Sequence, residues 1–387
     1  MDFELSEEQC LLVDSARAFA AAELAPHAAD WDRDHHFPVD VIKRAAEQGF
    51  LSLYISEEDG GLGLSRLTSS LIFEQLSAGC VATAAFMTIH NMASNMLACF
   101  GDDALKAQWL PRLISGELLA SYCLTEPDAG SDAARLRTRA RREGDEYALD
   151  GSKCFISGAG SSDVLIVMAR TGEDGAKGIS CFLVPGDTPG VKYGRNELKM
   201  GWRSQPTRTI TFEGVRIPAG NRIGPEGQGF VYAMKGLDGG RLNIASCSLG
   251  AAQAALEQSL RYVEERKQFG KALSEFQALQ FKLADMFTDL TASRQMVRLA
   301  ASKLDQQHAE ATLYCAMAKR FATDHCFDLC NQALQLHGGY GYLNDYPLER
   351  WVRDSRVHQI LEGTNEIMRV ITARRLLEQG GMLDNLL

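Results

Sequence analysis

Long apolar runs and targeting features are both missing from this sequence. No stretch reaches about 18 apolar residues, and the nearest approach, residues 79–89, is too short to cross a bilayer. The N-terminal segment MDFELSEEQ is acidic, with neither the basic start of a signal peptide nor the arginine content of a transit peptide. We therefore predict a soluble, intracellular protein that does not enter a membrane. The initiating Met1 favours the bacterial cytoplasm, whereas a processed eukaryotic chain would lie in the mitochondrial matrix.

Metal-binding and disulfide patterns are missing as well. The ten cysteines are scattered, and no two of them form a C-x-x-C pair. Cys326 and Cys330 lie one helical turn apart beside His325, but no second ligand pair follows. The pattern predicts core cysteines in a reducing compartment and no metal site.

Net charge and glycine spacing argue against three further kinds of partner or site. The net charge is −10, so an extended polyanion such as DNA is not the expected partner. No G-x-G-x-x-G segment follows a strand, so a Rossmann dinucleotide site is not supported. The DGGLG segment at 59–63 lacks the G-K-[ST] ending of a phosphate-binding loop, and we predict a turn there.

Hydrophobic residues, by contrast, make up 45 % of the 387 positions, which is enough to form a large core. Residues 1–119 have the pattern of an all-helical domain. Helices are predicted over residues 6–24, from Pro38 to Gly49, over about 65–77 and 83–98, and from about 103 to 115.

The pattern changes at Ala120 to short β-branched and aromatic segments that are separated by glycine and proline. Four segments are evident, at 147–149, 164–168, 179–184 and 207–212. They predict an antiparallel β domain over residues 120–225.

Helical periodicity returns near Phe230. Apolar residues recur at spacings of three and four up to Arg266, then again as far as Leu304, and a third helix follows from about 309 to 336. Three long helices closed by a shorter fourth predict an antiparallel four-helix bundle over residues 226–387. The predicted fold class is α+β, with a helical domain, a β domain and a helical bundle in that order.

Arginine alternates through the segment RLRTRARR of the β domain. The alternation places Arg135, Arg137, Arg139 and Arg141 on one face of a predicted strand. This stripe could contact a nucleotide phosphate, a partner protein or nucleic acid. It could also be the solvated face of an edge strand that resists aggregation, which is the interpretation we favour.

One carboxylate stands directly before a predicted helix near the C-terminus. Glu362 is followed by Gly363 and then by Thr364 and Asn365, each of which can cap a helix that begins near Glu366. Catalytic groups are over-represented on such loops. Spacing alone nevertheless favours a carboxylate that only complements the helix dipole, so a catalytic role needs support from elsewhere in the chain.

That support comes from short segments rich in glycine, serine and threonine, which offer donors to a phosphate or a heterocycle. They are TEPDAGSD at 125–132, FISGAGSSD at 155–163 and HGGYG at 337–341. Together with RKQFGKALSEFQ at 266–277 and RDSRVHQILEGTNEIMR at 353–369, they resemble the acyl-CoA dehydrogenase family over essentially the full chain. The last segment resembles the signature around that family's catalytic carboxylate.

The resemblance implies the predicted fold, assembled as a homotetramer (a dimer of dimers), with FAD extended between the β domain and the bundle. The residues implied on the flavin side are Tyr122, Cys123, Leu124, Thr125, Gly130, Ser131, Phe155, Ile156 and Ser157. Those implied at the pyrophosphate and adenosine end, largely across a dimer interface, are Arg266, Phe276, Gln277, Gln335, Leu336, His337, Gly338 and Gly339. Thr364, Asn365 and Glu366 would complete the cofactor site.

Two cofactor positions depart from the common family pattern. Phe155 stands where many relatives carry tryptophan, and Ser157 stands where many carry threonine. Because an aromatic plane and a hydroxyl are kept, FAD binding is expected to survive both changes.

The resemblance also implies a substrate site and a single base. The implied contacts to acyl-CoA are Ser131, Asp238, Gly239, Gly240, Arg241, Gly363 and Arg374. One subset of the family carries its catalytic glutamate at the position that matches Gly240. Because that position is glycine here, Glu362 is the one candidate base.

The implied reaction is α,β-dehydrogenation of an acyl thioester, in which Glu362 takes the α-proton and flavin accepts the β-hydride. The pKa of Glu362 must rise for this, and desolvation by bound substrate is expected to outweigh the helix dipole. GWRSQPTR at 201–208 and GGRLNIASCSLGAAQA at 239–254 are most similar to members that convert isobutyryl-CoA to methacrylyl-CoA in valine degradation. Straight-chain and 2-methylbutyryl thioesters are the alternatives, and electron transfer flavoprotein is the implied electron acceptor.

Two rival functions stay open at this point. An oxidase that passes electrons to O₂ would share the fold, although such relatives are usually longer at the C-terminus. A non-catalytic flavin- or nucleic-acid-binding protein would share the scaffold, but the acidic balance and the retained Glu362 argue against it.

Overall fold

The computed structural model describes residues 4–378, and the chain begins with helices. Their bounds are α1 Glu7–Phe19, α2 Ala28–Asp34, α3 Val39–Glu47, α4 Arg66–Gly79, α5 Val81–Phe100 and α6 Asp103–Ile114. A capping box starts α1, because Ser6 Oγ accepts from Gln9 N and Gln9 Oε1 accepts from Ser6 N, both at 3.1 Å. A π-helical turn, Ala20–Leu24, extends α1 to its predicted end. Only α2 was not predicted in this region.

The apolar run at 79–89 lies mainly in α5, the central helix of the N-terminal region. Nearly all of its side chains are buried, because α5 packs between α7 and the strand β1 that are described below. Within residues 4–378, no helix combines the length and the apolar character that a membrane crossing requires.

A β domain follows. Its strands are β1 Ala120–Cys123, β2 Arg139–Glu143, β3 Glu146–Ser157, β4 Val164–Arg170, β5 Ile179–Pro185, β6 Val191–Tyr193, β7 Thr207–Pro218 and β8 Arg222–Ile223. The sheet order is β6-β7-β3-β2-β4-β5-β8, with β1 paired to β4. Most pairs are antiparallel as predicted, but β1 and β2 both run parallel to β4. Short apolar segments do not encode pairing direction, which is why the prediction missed these two pairs.

The predicted arginine stripe is only partly a strand. Arg139 and Arg141 belong to β2, whereas Arg135 ends a short 3-10 helix and Arg137 lies between the two elements. All four side chains are exposed as predicted, but three are paired with a carboxylate, Arg141 with Asp150 at 3.1 Å among them. This pairing reduces the positive field of the stripe and agrees with a solvated face.

The C-terminal region is a helical bundle. Its elements are α7 Gly229–Glu265, the hairpin β9 Lys267–Gln268 and β10 Lys271–Ala272, α8 Gln277–Asp305, α9 Ala311–His337, α10 Leu348–Arg356 and α11 Asn365–Glu378. The helices α7, α8 and α9 pack on one another, and both α10 and α11 pack on α9. The three predicted long helices are confirmed, and two shorter helices, α10 and α11, follow them where one was predicted.

The helices from the two ends of the chain share one hydrophobic core. Ile72 and Leu76 of α4 belong to the same buried cluster as Leu249 of α7. The two helices approach closely, because a side chain at Gly250 would overlap the Glu74 carbonyl oxygen of α4. Residues that are distant in sequence therefore meet along α7, which forms one wall of the candidate site.

A buried histidine joins α5 to the first strand. Ala120 N of β1 donates to His90 Nδ1 at 3.1 Å, so His90 Nε2 carries the proton and donates to Leu113 O at 3.1 Å. Burial lowers the pKa of His90 to about 4, so the ring stays neutral. This link places Tyr122 of β1 beside α5 and α7.

Candidate active site

Glu362 lies in a strained loop between α10 and α11. Its backbone is left-handed with a φ of 54°, and Gly363 follows with a φ of 87°. A left-handed residue other than glycine costs about 1–3 kcal/mol, so the surrounding structure must hold it. Thr364 Oγ1 accepts from Ile367 N at 3.3 Å, which confirms the predicted threonine cap of the last helix.

The carboxylate of Glu362 is shielded and incompletely paired. Its Oε2 atom is buried and has no hydrogen-bond partner. Burial raises the pKa of Glu362 to about 7, although the positive charges of Arg241 and Lys319 oppose the rise. A carboxylate with this pKa is a far better base near neutral pH than an exposed one.

Glycines on α7 make room for this carboxylate. A Cβ atom at Gly240 would lie 2.5 Å from Glu362 Oε2 and 3.1 Å from Met92 Sδ of α5. A Cβ at Gly239 would overlap the guanidinium of Arg66. A side chain at position 240 would therefore reach the space that Glu362 already occupies. A glutamate at position 362 thus requires a residue without a side chain at position 240.

Two arginines with unused N–H groups lie beside these glycines. Arg241 is buried and donates to Asp238 Oδ1 at 2.6 Å, but its Nε has no partner. Asp238 also accepts from Thr312 Oγ1 at 2.6 Å. Arg66 stacks 3.6 Å above the Tyr54 ring and leaves its buried Nη1 without a partner. Unsatisfied guanidinium groups at a cleft are suited to an anionic or strongly polar ligand.

Sequence reasoning missed Arg66, although one signal was present. It is the first residue of α4, where the helix dipole disfavours a positive charge and acidic residues are usual. An arginine at this position indicates a function outside the helix.

Tyr122 faces Glu362 as well, in addition to Arg241 and Lys319. Its buried Oη has no partner, and burial together with the charge of Glu362 raises the pKa of the phenol. The sequence predicted Tyr122 as a flavin-side contact, and the structure places it within electrostatic range of the candidate base.

Other residues predicted on the flavin side divide into buried and exposed groups. Cys123, Leu124 and Ile156 are buried, so their side chains belong to the core. Phe155 is 71 % exposed with a φ of 57°, because a bulge in β3 between Lys153 and Ile156 turns it outwards. An exposed aromatic ring that is held in a strained conformation fits one face of a flat ligand.

The remaining flavin-side residues lie near these. Thr125 is half-buried, its carbonyl accepting from Cys154 N, and Ser157 O accepts from Ser121 Oγ at 2.6 Å. Gly130 and Ser131 are exposed in the loop after β1.

The residues predicted for the pyrophosphate and adenosine end gather around an open groove of about 500 Å³. Its walls include Arg266, Gln335, Leu336, His337, Gly338 and Gly339. His337 Nε2 is buried without a partner, and no atom lies within 4 Å of a Cβ built on Gly338 or Gly339. Phe276 and Gln277 stand nearby at the start of α8. Because His337 Nδ1 donates to Ala333 O at 2.8 Å, the free Nε2 atom is an acceptor. The groove thus combines the charged Arg266 and this ring acceptor with room for a backbone-bound ligand.

Three predicted residues lie on α11 with different roles. Asn365 is buried, and its side chain bonds to Lys319, Thr323 and Asp324 of α9, so its side-chain atoms are already used within the fold. Glu366 and Arg374 are exposed, and Glu366 pairs with Arg369 at 3.5 Å. Neither exposed residue contacts the Glu362 carboxylate in the described part of the chain.

Taken together, the protein groups present fit the FAD that the resemblance implies. Exposed Phe155 offers an aromatic surface, and the groove beside His337 and Gly338 offers the charged Arg266, a ring acceptor and bare backbone. Among residues 4–378, no group of three or more metal-ligating side chains is present.

Comparison with known proteins agrees with this geometry. The acyl-CoA dehydrogenase N-terminal, middle and C-terminal domain families match residues 6–117, 121–215 and 227–377. The chain belongs to the acyl-CoA dehydrogenase family, whose members are FAD-dependent oxidoreductases.

Individual relatives narrow the comparison. The mitochondrial isobutyryl-CoA dehydrogenase of Bos taurus is 54 % identical over 375 residues, which cover 97 % of this chain and 90 % of that protein. The solved structure of butyryl-CoA dehydrogenase from Megasphaera elsdenii has a TM-score of 0.94 at 38 % identity and covers 97 % of this chain and 100 % of its own. An FAD complex of PigA has a TM-score of 0.94 at 32 % identity, with 97 % and 99 % coverage. The predicted family, fold and cofactor are therefore confirmed.

Proposed function

We propose that this enzyme oxidises isobutyryl-CoA to methacrylyl-CoA, with Glu362 as the base that removes the α-proton. The observation that carries the proposal is the buried Oε2 atom of Glu362, which has no partner and faces the bare backbone of Gly240. A free carboxylate oxygen in a desolvated site can accept a proton from carbon, whereas a fully paired one cannot.

Several groups of the chain support that step. Arg241 and Lys319 keep part of the Glu362 population ionised in spite of burial, since both charges oppose the rise of its pKa. The left-handed backbone at Glu362 directs the side chain towards α7 instead of into solvent. The backbone N–H of Glu362 is the proposed donor to the thioester oxygen, where negative charge develops. Bound FAD supplies the hydride acceptor.

We assign the cofactor contacts to the two surfaces described above. Phe155, Ser157 and the segment 122–131 would hold the flavin, and the groove from Gln335 to Gly339 with Arg266 would hold the pyrophosphate and adenosine. The CoA moiety would bind along Ser131, Asp238–Arg241 and Arg374, with Gly363 close to the thioester.

The short, branched acyl group is supported by two observations. Met92 and Met96 of α5 lie against Gly240 and Gly236 of α7, so methionine side chains limit the space beside Glu362. A relative at 54 % identity is named an isobutyryl-CoA dehydrogenase. A pocket that is closed by methionines near the base favours a short thioester over a long one.

A substrate comparison tests the acyl assignment. The purified holoenzyme is titrated anaerobically with isobutyryl-CoA, butyryl-CoA and 2-methylbutyryl-CoA while the flavin absorbance is followed. We expect the fastest bleaching with isobutyryl-CoA, with methacrylyl-CoA as the product. A clear preference for either competitor would discard the substrate but keep the reaction.

The variant Glu362→Gln tests the base. The amide keeps the shape of the side chain but cannot take a proton, so flavin reduction by substrate should slow by about 10²–10⁴-fold. Asp238→Asn, next to the site but not in contact with the α-carbon in this proposal, serves as the control and should mainly weaken substrate binding. Bleaching at the wild-type rate in Glu362→Gln would remove Glu362 from the mechanism.

We also propose the physiological setting that the resemblance implied: valine degradation, electron transfer flavoprotein as acceptor and a homotetramer in a soluble compartment. Phe281 and Phe287 of α8 are each 60 % exposed, which supports contact between α8 and another subunit. Light scattering of the holoenzyme would test the assembly. A comparison of the rates at which the reduced enzyme reacts with electron transfer flavoprotein and with O₂ would test the acceptor. Preferential reaction with O₂ would favour the oxidase alternative.

A further inference from the structure

We propose that Lys319 is the positioning residue for Glu362: it clamps the loop that carries the base and supplies a positive charge beside the carboxylate. The inference rests on the proposed role of Glu362. Lys319 was not among the residues that the sequence predicted for the site.

The clamp is made by one buried ammonium group. Lys319 lies on α9 and is fully buried. Its Nζ donates to the carbonyl oxygen of Gly363 at 2.8 Å and to Asn365 Oδ1 at 2.8 Å. One side chain therefore holds the residue directly after the base and the first residue of the following helix.

Residues of the next turn of α9 extend the clamp to both sides of the loop. Asn365 Nδ2 donates to Thr323 Oγ1 at 2.9 Å and to Asp324 Oδ1 at 2.6 Å. Asp324 also accepts from Gln359 before the loop, at 2.9 Å, and from Arg369 after it, at 3.1 Å. The loop is thus tied to α9 at its entry, at its centre and at its exit.

The loop needs such a clamp because its conformation is unfavourable by itself. Glu362 and Gly363 are both left-handed, with φ values of 54° and 87°. A non-glycine residue persists in this region only when its surroundings determine it. The Lys319 bond to Gly363 O fixes the peptide between Gly363 and Thr364, one residue after Glu362, so it restrains the loop that directs the carboxylate.

The charge of Lys319 gives the clamp a second effect. The groups that face Glu362 are Lys319 from α9, Arg241 from α7 and the neutral phenol of Tyr122 from β1. Burial lowers the pKa of Lys319 to about 7, although the charge of Glu362 opposes this change. Each charge therefore stabilises the other, and removal of the ammonium should leave Glu362 harder to ionise.

The test compares Lys319→Met with Lys199→Met. Lys199 is a matched control, since it is also largely buried and bonds to Gln205 O and Thr207 Oγ1, but it faces Asp354 instead of Glu362. Both variants should lose thermal stability. In Lys319→Met alone, the pH profile of substrate-driven flavin reduction should move to higher pH by about one unit, which is about tenfold in rate below the plateau, with flavin content unchanged.

A second variant keeps the test decisive if Lys319→Met does not fold. Asn365→Leu retains the ammonium and removes one of its anchors, and it should slow flavin reduction without a shift of the pH profile. The inference is overturned if Lys319→Met and Lys199→Met have the same rate and the same profile. Failure of the proposed function is recognised separately, because Glu362→Gln would then remain active whatever the Lys319 variants do.

Discussion

Glu126 in the β domain and Glu362 in the last loop are both carboxylates shielded from solvent, and each faces a buried lysine. Glu126 accepts from Lys153 Nζ at 2.7 Å and from two backbone N–H groups at 2.6 and 2.9 Å. Burial by itself would raise the pKa of Glu126, but Lys153 and these donors outweigh burial, and the pKa lies below its ordinary value. Glu362 Oε2 has no partner, and burial raises its pKa to about 7.

The difference shows how one kind of residue serves two purposes. The hydrogen bonds of Glu126 are complete, so the charged form is stabilised and the carboxylate holds the loop after β1 to β3. Glu362 has a lysine nearby, but that lysine bonds to Gly363 and Asn365 instead of to the carboxylate. The oxygen that is left free is the one available for chemistry.

The largest expected effect is a loss of stability when Glu126 is replaced. Glu126→Leu leaves Lys153 buried without a counter-charge, and such a loss typically destabilises a protein by about 3–5 kcal/mol. Glu362→Gln should cost little stability, because it removes a carboxylate oxygen that has no partner. Thermal unfolding of the two variants checks this, and similar losses of stability would show that the two carboxylates are not distinguished by their hydrogen bonds.

A smaller effect is expected at the glycine that faces Glu362. In Gly240→Ala the new methyl group lies 2.5 Å from Glu362 Oε2, so the carboxylate must move. Overpacking of this kind costs about 1–3 kcal/mol, and here the loss should appear in the rate of flavin reduction. Gly236→Ala is the matched control, because its methyl would meet only flexible methionine side chains, Met96 at 3.1 Å and Met92 at 3.7 Å. Equal rates for the two variants would contradict the close approach at Gly240.

The space beside Glu362 should also determine which acyl chain length of the thioester substrate the enzyme prefers. Met92→Ala removes the side chain that lies against Gly240, so longer thioesters should gain relative to isobutyryl-CoA by about 1–3 kcal/mol, or roughly 10–200-fold in kcat/KM. Competition between isobutyryl-CoA and hexanoyl-CoA measures the shift. An unchanged ratio would place the end of the acyl pocket elsewhere.

A further effect, spread over several pH units, is expected on the pH dependence of stability. The pKa of Glu362 is raised in the folded protein to about 7, so the carboxyl contributes stability below its unfolded pKa of about 4.3 that is lost as the pH rises to about 7. The slope is at most about 1.4 kcal/mol per pH unit. Glu362→Gln should lack this loss, and the difference between its unfolding curve and that of the wild type between pH 5 and 8 measures it. Parallel curves would mean that the pKa is not raised.

The raised pKa of Glu362 also predicts the pH dependence of the rate. At low substrate concentration, kcat/KM for flavin reduction should increase with pH up to about 7 and then level off, since only the ionised carboxylate accepts a proton. Proton abstraction that is independent of pH between 5 and 8 would contradict Glu362 as the base.

Local signals predicted much of the fold. The capping box at Ser6 and the cap at Thr364 start helices where the sequence indicated, because caps depend on residues only two or three positions apart. The direction of β1 relative to β4 was not predictable in this way, since their pairing brings together Ala120 and Val164. The helix α2 was missed because Pro26 indicated an end to helical structure.

The candidate site shows the same division. Glu362 and Gly240 were identified from the family motif, but Arg66, Met92 and Lys319 were not, because each belongs to a helix with an ordinary pattern of its own. Their functional position depends on the packing of α4, α5 and α9 around α7. The site contacts predicted for Phe155 and the groove residues remain predictions that await a bound cofactor.

The sequence by itself determined the order of the helical, β and helical regions, the cap before the last helix and the identity of the family, because these depend on nearby residues and on motifs that keep their spacing. Only the tertiary structure decided which carboxylate is free. Lys153 reaches Glu126 across 27 positions and Lys319 reaches Gly363 across 44, and hydrogen-bond completion depends on where those distant groups meet. The pKa of a buried acid follows from desolvation and partners together, and both exist only once the chain has folded.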